Sequence, residues 1–95
     1  MKHISILVPH EAVMASVVDP RTILTGVNEF LLGMGKPAVF DVQLVGLTKQ
    51  VKLTDGHFSV HTDALLEDVK ETDLLIVPAL GGDLKNSVTK KFSTL

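Results

Sequence analysis

Apolar residues follow two patterns along this chain: short unbroken runs, and one long stripe at helical spacing. Ile4 to Val8 is an apolar, β-branched run stopped by Pro9, which predicts a buried first strand. His10 to Val18 reads as a loop or a short turn of helix, with Val13, Met14, Val17 and Val18 apolar. Asp19-Pro20 then reads as an N-cap followed by proline at the first helical position. Ile23, Leu24, Val27, Phe30, Leu31 and Met34 recur at the helical period, predicting a helix of about four turns. Gly33 and Gly35, with Lys36-Pro37 beyond, predict its stop.

Phe40 to Thr48 predicts the next strand, its first half alternating between Phe40, Val42, Leu44 and Asp41, Gln43. Strand, helix and strand in this order form a parallel crossover unit, which is right-handed almost without exception. Val51 and Leu53, then Phe58 and Val60, alternate on either side of Asp55-Gly56, a hairpin signal. Thr62-Asp63 reads as the cap of a short helix, Ala64 to Val69. Its acidic residues Asp63, Glu67 and Asp68 suit the helix dipole.

The stretch from Thr72 to Gly82 organises the rest. Leu74 to Pro78 is almost purely apolar and predicts a strand buried on both faces, the habit of inner strands in parallel sheets. In an open α/β sheet, ligands collect just past the carboxyl ends of such strands. Gly81 and Gly82 let a ligand approach the main chain there, or simply turn the chain into the next helix. Asn86-Ser87 then reads as the cap of a further helix, Val88 to Phe92. Three parallel strands and a hairpin would leave a sheet edge and a helix face uncovered. The expectation is therefore the N-terminal part of a larger α/β domain.

At 95 residues, 45% of them hydrophobic, the chain holds at most one small domain with a real core. The net charge of −2 lacks the basic footprint of a nucleic-acid surface. The only aromatics are four phenylalanines, a poor platform for stacking bases. There is no cysteine, so a disulfide, a cysteine-ligated zinc or a thiol nucleophile within these residues is excluded. No apolar run approaches the ~18 residues of a membrane span. No signal-peptide n-region or cleavage site precedes the first strand, so cytoplasm is the expected compartment and no membrane partner is expected.

His57 and His61 share a strand face about two pleats apart, too far to hold one ion unaided, and no metal or cofactor is expected. His10 follows the first strand and so falls near the predicted crevice. No phosphate-loop or dinucleotide glycine pattern occurs. Ser5, Ser16, Ser59 and Ser87 lack the context of a nucleophile elbow. Lys85, Lys90 and Lys91 form a small basic cluster read as a solvated helix face. The valines of the segment from Val13 to Val18 need cover, and a subunit interface is one source of it.

The order of these elements resembles the PfpI-like branch of the class I glutamine amidotransferase-like superfamily. More narrowly, it resembles the N-terminal sensor domain of AraC-type transcriptional regulators. Four features carry the resemblance: the opening strand Ile4 to Pro9; Asp19-Pro20, where the family often has Gly-Pro-Leu-Glu; the Gly56 hairpin with Thr62-Asp63 and Leu65-Leu66-Glu67-Asp68; and Asp73 to Pro78 with its glycine loop. Together they span residues 3 to 83.

The resemblance implies a flavodoxin-like α/β three-layer sandwich with a mostly parallel sheet, of which this chain supplies the N-terminal half, plus a small β-hairpin. Catalytic members place a cysteine at an elbow downstream of the glycine loop, partnered by a glutamate of the first helix. Here the elbow lies beyond Leu95, and Thr22 stands where the glutamate would be. Threonine neither takes nor holds a proton at neutral pH. The resemblance thus implies a sensor that binds an unidentified small molecule at His10, Thr22, Ala79, Gly81 and Gly82. It would act as a homodimer and reach DNA only through a helix-turn-helix domain absent from these residues, since two-fold regulators match two-fold operators. Two alternatives stand beside it: a fragment of a PfpI-like cysteine-dependent amidase, hydratase or deglycase, and a stand-alone small binding module.

Overall fold

The computed structural model describes residues 1–53 and 56–80. The elements are β1 (Lys2–Leu7), α1 (Met14–Gly33), β2 (Phe40–Gly46), β3 (Gln50–Leu53), β4 (Phe58–His61), β5 (Ala64–Leu65), a 3-10 turn η1 (Leu66–Asp68) and β6 (Leu74–Ile76). Four strands form one sheet in the order β5-β2-β1-β6, and β3 and β4 form a separate two-stranded sheet. All pairings in the larger sheet are parallel. The fold is α/β with a mostly parallel sheet and a small antiparallel hairpin, consistent with the flavodoxin-like arrangement expected.

Alternation along β1 divides the core in two. Ile6 and Val8 face α1 and cluster with Ala12, Val17, Val51, Leu53 and Val60. Leu7 points to the opposite face and clusters with Val45, with Leu47, Ala64, Leu66 and Val69 packed around them. One layer is thus α1 and the hairpin; the other is the η1 segment. The register sets this sharing of faces, since Ile6 lies beside Leu44 and Leu7 beside Val45.

The helix begins six residues earlier than the sequence predicts, at Met14, with Pro20 inside it. Asp19 is therefore not its N-cap. Val13 holds that position without a side-chain capping hydrogen bond. Burial decides the point: Val17 is fully buried against the core, and that packing outweighs the hydrogen bond lost at Pro20. The predicted apolar stripe is wider than the face that packs. Leu24, Asn28 and Leu31 are half-buried, whereas Ile23, Val27, Phe30 and Met34 are exposed. The stop is as predicted: Gly35 takes a φ of 75°, and the Met34, Gly35 and Lys36 N–H groups cap carbonyls of the last turn.

The segment after the hairpin also departs from expectation. Ala64 to Val69 forms no α-helix; Ala64 and Leu65 pair in parallel with Val45 and Gly46, and only η1 follows. Asp63 does not cap a helix. Its Oδ2 accepts the Leu44 N–H at 2.8 Å, and its own N–H donates to the Leu44 carbonyl at 2.7 Å. A six-residue helix is poorly nucleated, and these strand-like bonds win. Gly46 permits the approach: a Cβ there would lie 2.7 Å from Thr62 Cγ2.

β6 is not an inner strand among the described residues. It pairs with β1 alone, and Leu74, Leu75 and Val77 are exposed. The hairpin is as predicted, with Gly56 at a φ of 84°. Asp55, Gly81, Gly82 and the helix predicted over residues 88–92 lie outside the described residues.

At the amino ends of the strands, Asp73 ties β6 to β1. Its Oδ2 accepts the His3 N–H at 2.7 Å, and its N–H donates to the His3 carbonyl at 2.8 Å. His3 Nδ1 also meets Asp41 Oδ2 at 3.1 Å. The His3 N–H bond, helped by the charges of Lys2, His3 and the N-terminus, lowers the Asp73 pKa below the ordinary 3.8. A carboxylate lowered in the folded state stabilises it above the unfolded pKa. That contribution is lost as pH falls through the folded value. We therefore expect Asp73→Asn to flatten the acid limb of a stability profile recorded from about pH 2 to 5. Parallel acid limbs for the two proteins would remove Asp73 from this role.

Candidate functional site

Past the carboxyl ends of β1 and β6, hydrogen bonds join the loops that leave the two strands. β1 ends as the Val8 N–H donates to the Val45 carbonyl at 2.8 Å, and buried Pro9 turns the chain. Ala12 N–H closes that turn onto the Pro9 carbonyl at 3.1 Å, and Ala12 forms an antiparallel bridge with Leu80. The loop leaving β6 is thereby stitched to the entry of α1.

Ser16 is the knot. Its Oγ donates to the Val13 carbonyl at 2.6 Å and accepts the Ala79 N–H at 3.0 Å. The Val13 N–H in turn donates to the Ala79 carbonyl at 2.8 Å. Serine in the first turn of a helix is well placed for such local bonds. It here spans 63 positions of sequence.

Of the expected ligand residues, the structure brings Ala79 to this junction and puts His10, exposed, in the adjoining turn. Thr22 stands apart. It is exposed, eight residues past Met14, or about 12 Å further along α1. Gly81 and Gly82 are outside the described residues. Sequence reasoning missed Ser16 and Glu11. Glu11 is half-buried in the turn, with Oε2 shielded from solvent. The signal for Ser16 was present in its place three residues after Val13, but only against a helix beginning at Met14. His57 and His61 are both exposed, and among the described residues no group of three or more His, Cys, Asp or Glu is placed to hold a metal ion.

The arrangement gathers an oriented hydroxyl and main-chain polar groups of two loops, with His10 exposed and Glu11 half-buried in the adjoining turn. These 95 residues hold no thiol. We expect Ser16→Ala to strip protection from the Ala79 amide in hydrogen exchange and to cost about 1 kcal/mol, partly offset by alanine's better helix propensity. Unchanged exchange at Ala79 would show that Ser16 does not hold the loop.

The parallel sheet, the helix packed on one face and the separate hairpin form a flavodoxin-like α/β fold. Solved structures share it. A candidate transcriptional regulator protein from Vibrio parahaemolyticus superposes with a TM-score of 0.69 at 24% identity, over 94% of this chain and 44% of its own. A DJ-1 superfamily protein from Agrobacterium tumefaciens superposes with a TM-score of 0.56 at 16% identity, over 99% of this chain and 49% of its own. The chain thus spans less than half the length of either. No protein-family model matches it, and no curated protein does. No helix among the described residues is long and apolar enough to cross a membrane.

Proposed function

We propose that this chain is the ligand-sensing part of a transcriptional regulator of the AraC type. The observation that supports this most is the junction past the strand ends, where Ser16 joins the loop after β6 to the start of α1. A ligand seated against Ala79 and His10 would push on both elements at once. The resulting change would reach a DNA-binding domain outside these residues, and a homodimer in the cytoplasm would present two such domains to a two-fold operator. The likeness to a candidate transcriptional regulator supports the same reading.

The test is a small-molecule panel of metabolites screened by thermal shift, followed by amide chemical-shift mapping. A binder that moves the Val13, Ser16 and Ala79 signals, and loses affinity in His10→Ala, is the expected result. A binder that maps elsewhere, or none across the panel, would overturn it.

Glu11 keeps one alternative open, the cysteine-dependent amidase, hydratase or deglycase, since it puts a half-buried carboxylate in the turn after β1. A cysteine at a strand-to-helix elbow, encoded beyond Leu95, would favour that reading.

A further inference from the structure

The outer face of α1 carries little charge for a surface left to water. Its 20 residues include three charged ones, Asp19, Arg21 and Glu29. The solvent side of a helix laid on a core is ordinarily polar. Val17, Leu24, Asn28 and Leu31 make the shielded side. On the exposed flank Ile23, Val27, Phe30 and Met34 follow at intervals of four, three and four, the spacing of a helix-pairing seam. Ile23 is 67% and Phe30 68% exposed, so no described residue covers them.

Three observations point to a second copy of this chain as the cover. The first is size. The four side chains expose on the order of 400 Å² of apolar surface in each copy. Two such seams would bury about 800 Å², the apolar share of an interface of about 1,200–1,400 Å², within the standard range. The second is charge at the ends of the seam. Asp19 lies one turn before Ile23, and Lys36 lies just past Met34, both exposed. An interface across a two-fold axis pairs one patch with itself. Antiparallel helices then bring each Asp19 near the Lys36 of the other copy, whereas parallel ones would set like charge against like. The third is Gly26. It is exposed in the interior of the helix, where glycine is a poor helix former, and a Cβ there would meet nothing within 4 Å. Packing within the chain gives no reason for it. A helix seated against the seam does, because glycine lets two backbones approach.

We propose that two copies of this chain pair through antiparallel α1 helices, with Ile23 of each against Phe30 of the other and Gly26 against Val27. The two-fold axis crosses the helices between Gly26 and Val27, and Asp19 with Lys36 closes the seam at each end. This gives the homodimer of the regulator reading its surface, and in that respect rests on that reading. Ser16 stands in the first turn of the same helix. A ligand at the Ser16 junction and the subunit contact would therefore act on one element.

The chain has no cysteine, so introduced thiols report only on each other. Ile23→Cys and Phe30→Cys are made as two separate full chains, mixed and mildly oxidised. The crossed disulfide is expected about tenfold more than either self-pair. Like positions are offset by about 10 Å in the antiparallel pair, and Cα atoms more than ~7 Å apart do not bridge without movement. Self-pairs in excess, or no bridge at all, would overturn the proposal. A second measurement avoids the disulfide. Gly26→Gln puts a better helix former into open space, so the chain stays folded, and it should raise the dimer Kd in sedimentation about tenfold or more. Phe58→Gln, on the exposed face of the hairpin, should leave that Kd in place. A monomeric parent chain, or a dimer indifferent to Gly26→Gln or weakened equally by Phe58→Gln, would sink the α1 contact. The ligand-sensing reading fails separately, on the metabolite screen, which reads binding and not assembly.

Discussion

Replacing Leu53 with alanine lowers stability by about 3 kcal/mol, within the range for emptying a buried leucine site. Leu53 lies on the hairpin, yet it is 1% exposed. It shares a cluster with Ile6 of the inner strand β1, Val8 just past it, and Val17 of α1. The hairpin is therefore a lid on the main core, and removing three side-chain carbons leaves a cavity that strands on one side and a helix on the other cannot both fill. For a domain of this size, total stability is on the order of 5–14 kcal/mol, so the loss is a large share. Phe58, directly across the ladder, is a useful control. It is the larger side chain but is 52% exposed. Phe58→Ala should cost less than about 1 kcal/mol. Urea unfolding of both variants checks this, with the slope unchanged and only the midpoint moved. A Leu53→Ala effect no larger than that of Phe58→Ala would mean the hairpin is not part of the core.

Asn28→Ala comes next, at about 2–3 kcal/mol. The Asn28 side chain clips α1 to the start of β2. Its Nδ2 donates to the Phe40 carbonyl at 2.8 Å, and its Oδ1 accepts the Val39 and Phe40 N–H groups at 3.0 and 3.1 Å. Alanine leaves three main-chain groups without these partners, the two of Phe40 half-shielded, and the cost of orphaned groups exceeds the net value of the bonds themselves. For a domain near 100 residues this should lower Tm by about 10–20 °C. Asn28→Asp keeps the acceptor and loses the donor, so it should fall between. Calorimetry of the three proteins tests the order. A drop of only a few degrees in Asn28→Ala would show that water replaces the clip.

The first of these sites was partly legible and the second was not. Val51, Leu53 and Val60 advertise a half-buried hairpin by their alternation. Nothing local says that their buried face meets Val17. Asn28 reads in sequence as a polar interruption of an apolar stripe. Its value appears only when the helix is laid on the sheet and the turn at Val39 comes within reach. Ser16 was hidden for a related reason. Asp19-Pro20 is a good local start signal, and reading the helix from there left Ser16 in a loop without a role. Asp63 misled in the same way: a good helix cap in local terms, it spends both its N–H and its carboxylate on Leu44.

By itself the sequence determined what depends on neighbours within a few residues. The β-branched runs made strands, the spacing from Ile23 to Met34 made a helix, Gly35 ended it and Gly56 turned the hairpin. The order of elements with the right-handed crossover rule then sufficed for a parallel α/β sheet. Only the tertiary structure decided where α1 begins, because burying Val17 outweighs the local signal at Asp19-Pro20. It decided that Ala64 and Leu65 extend the sheet, because a backbone partner at Val45 and Gly46 was available. It also decided which residues meet past the strand ends, since Val13, Ser16 and Ala79 are joined by bonds between distant parts of the chain, and such bonds leave no periodic trace in the sequence.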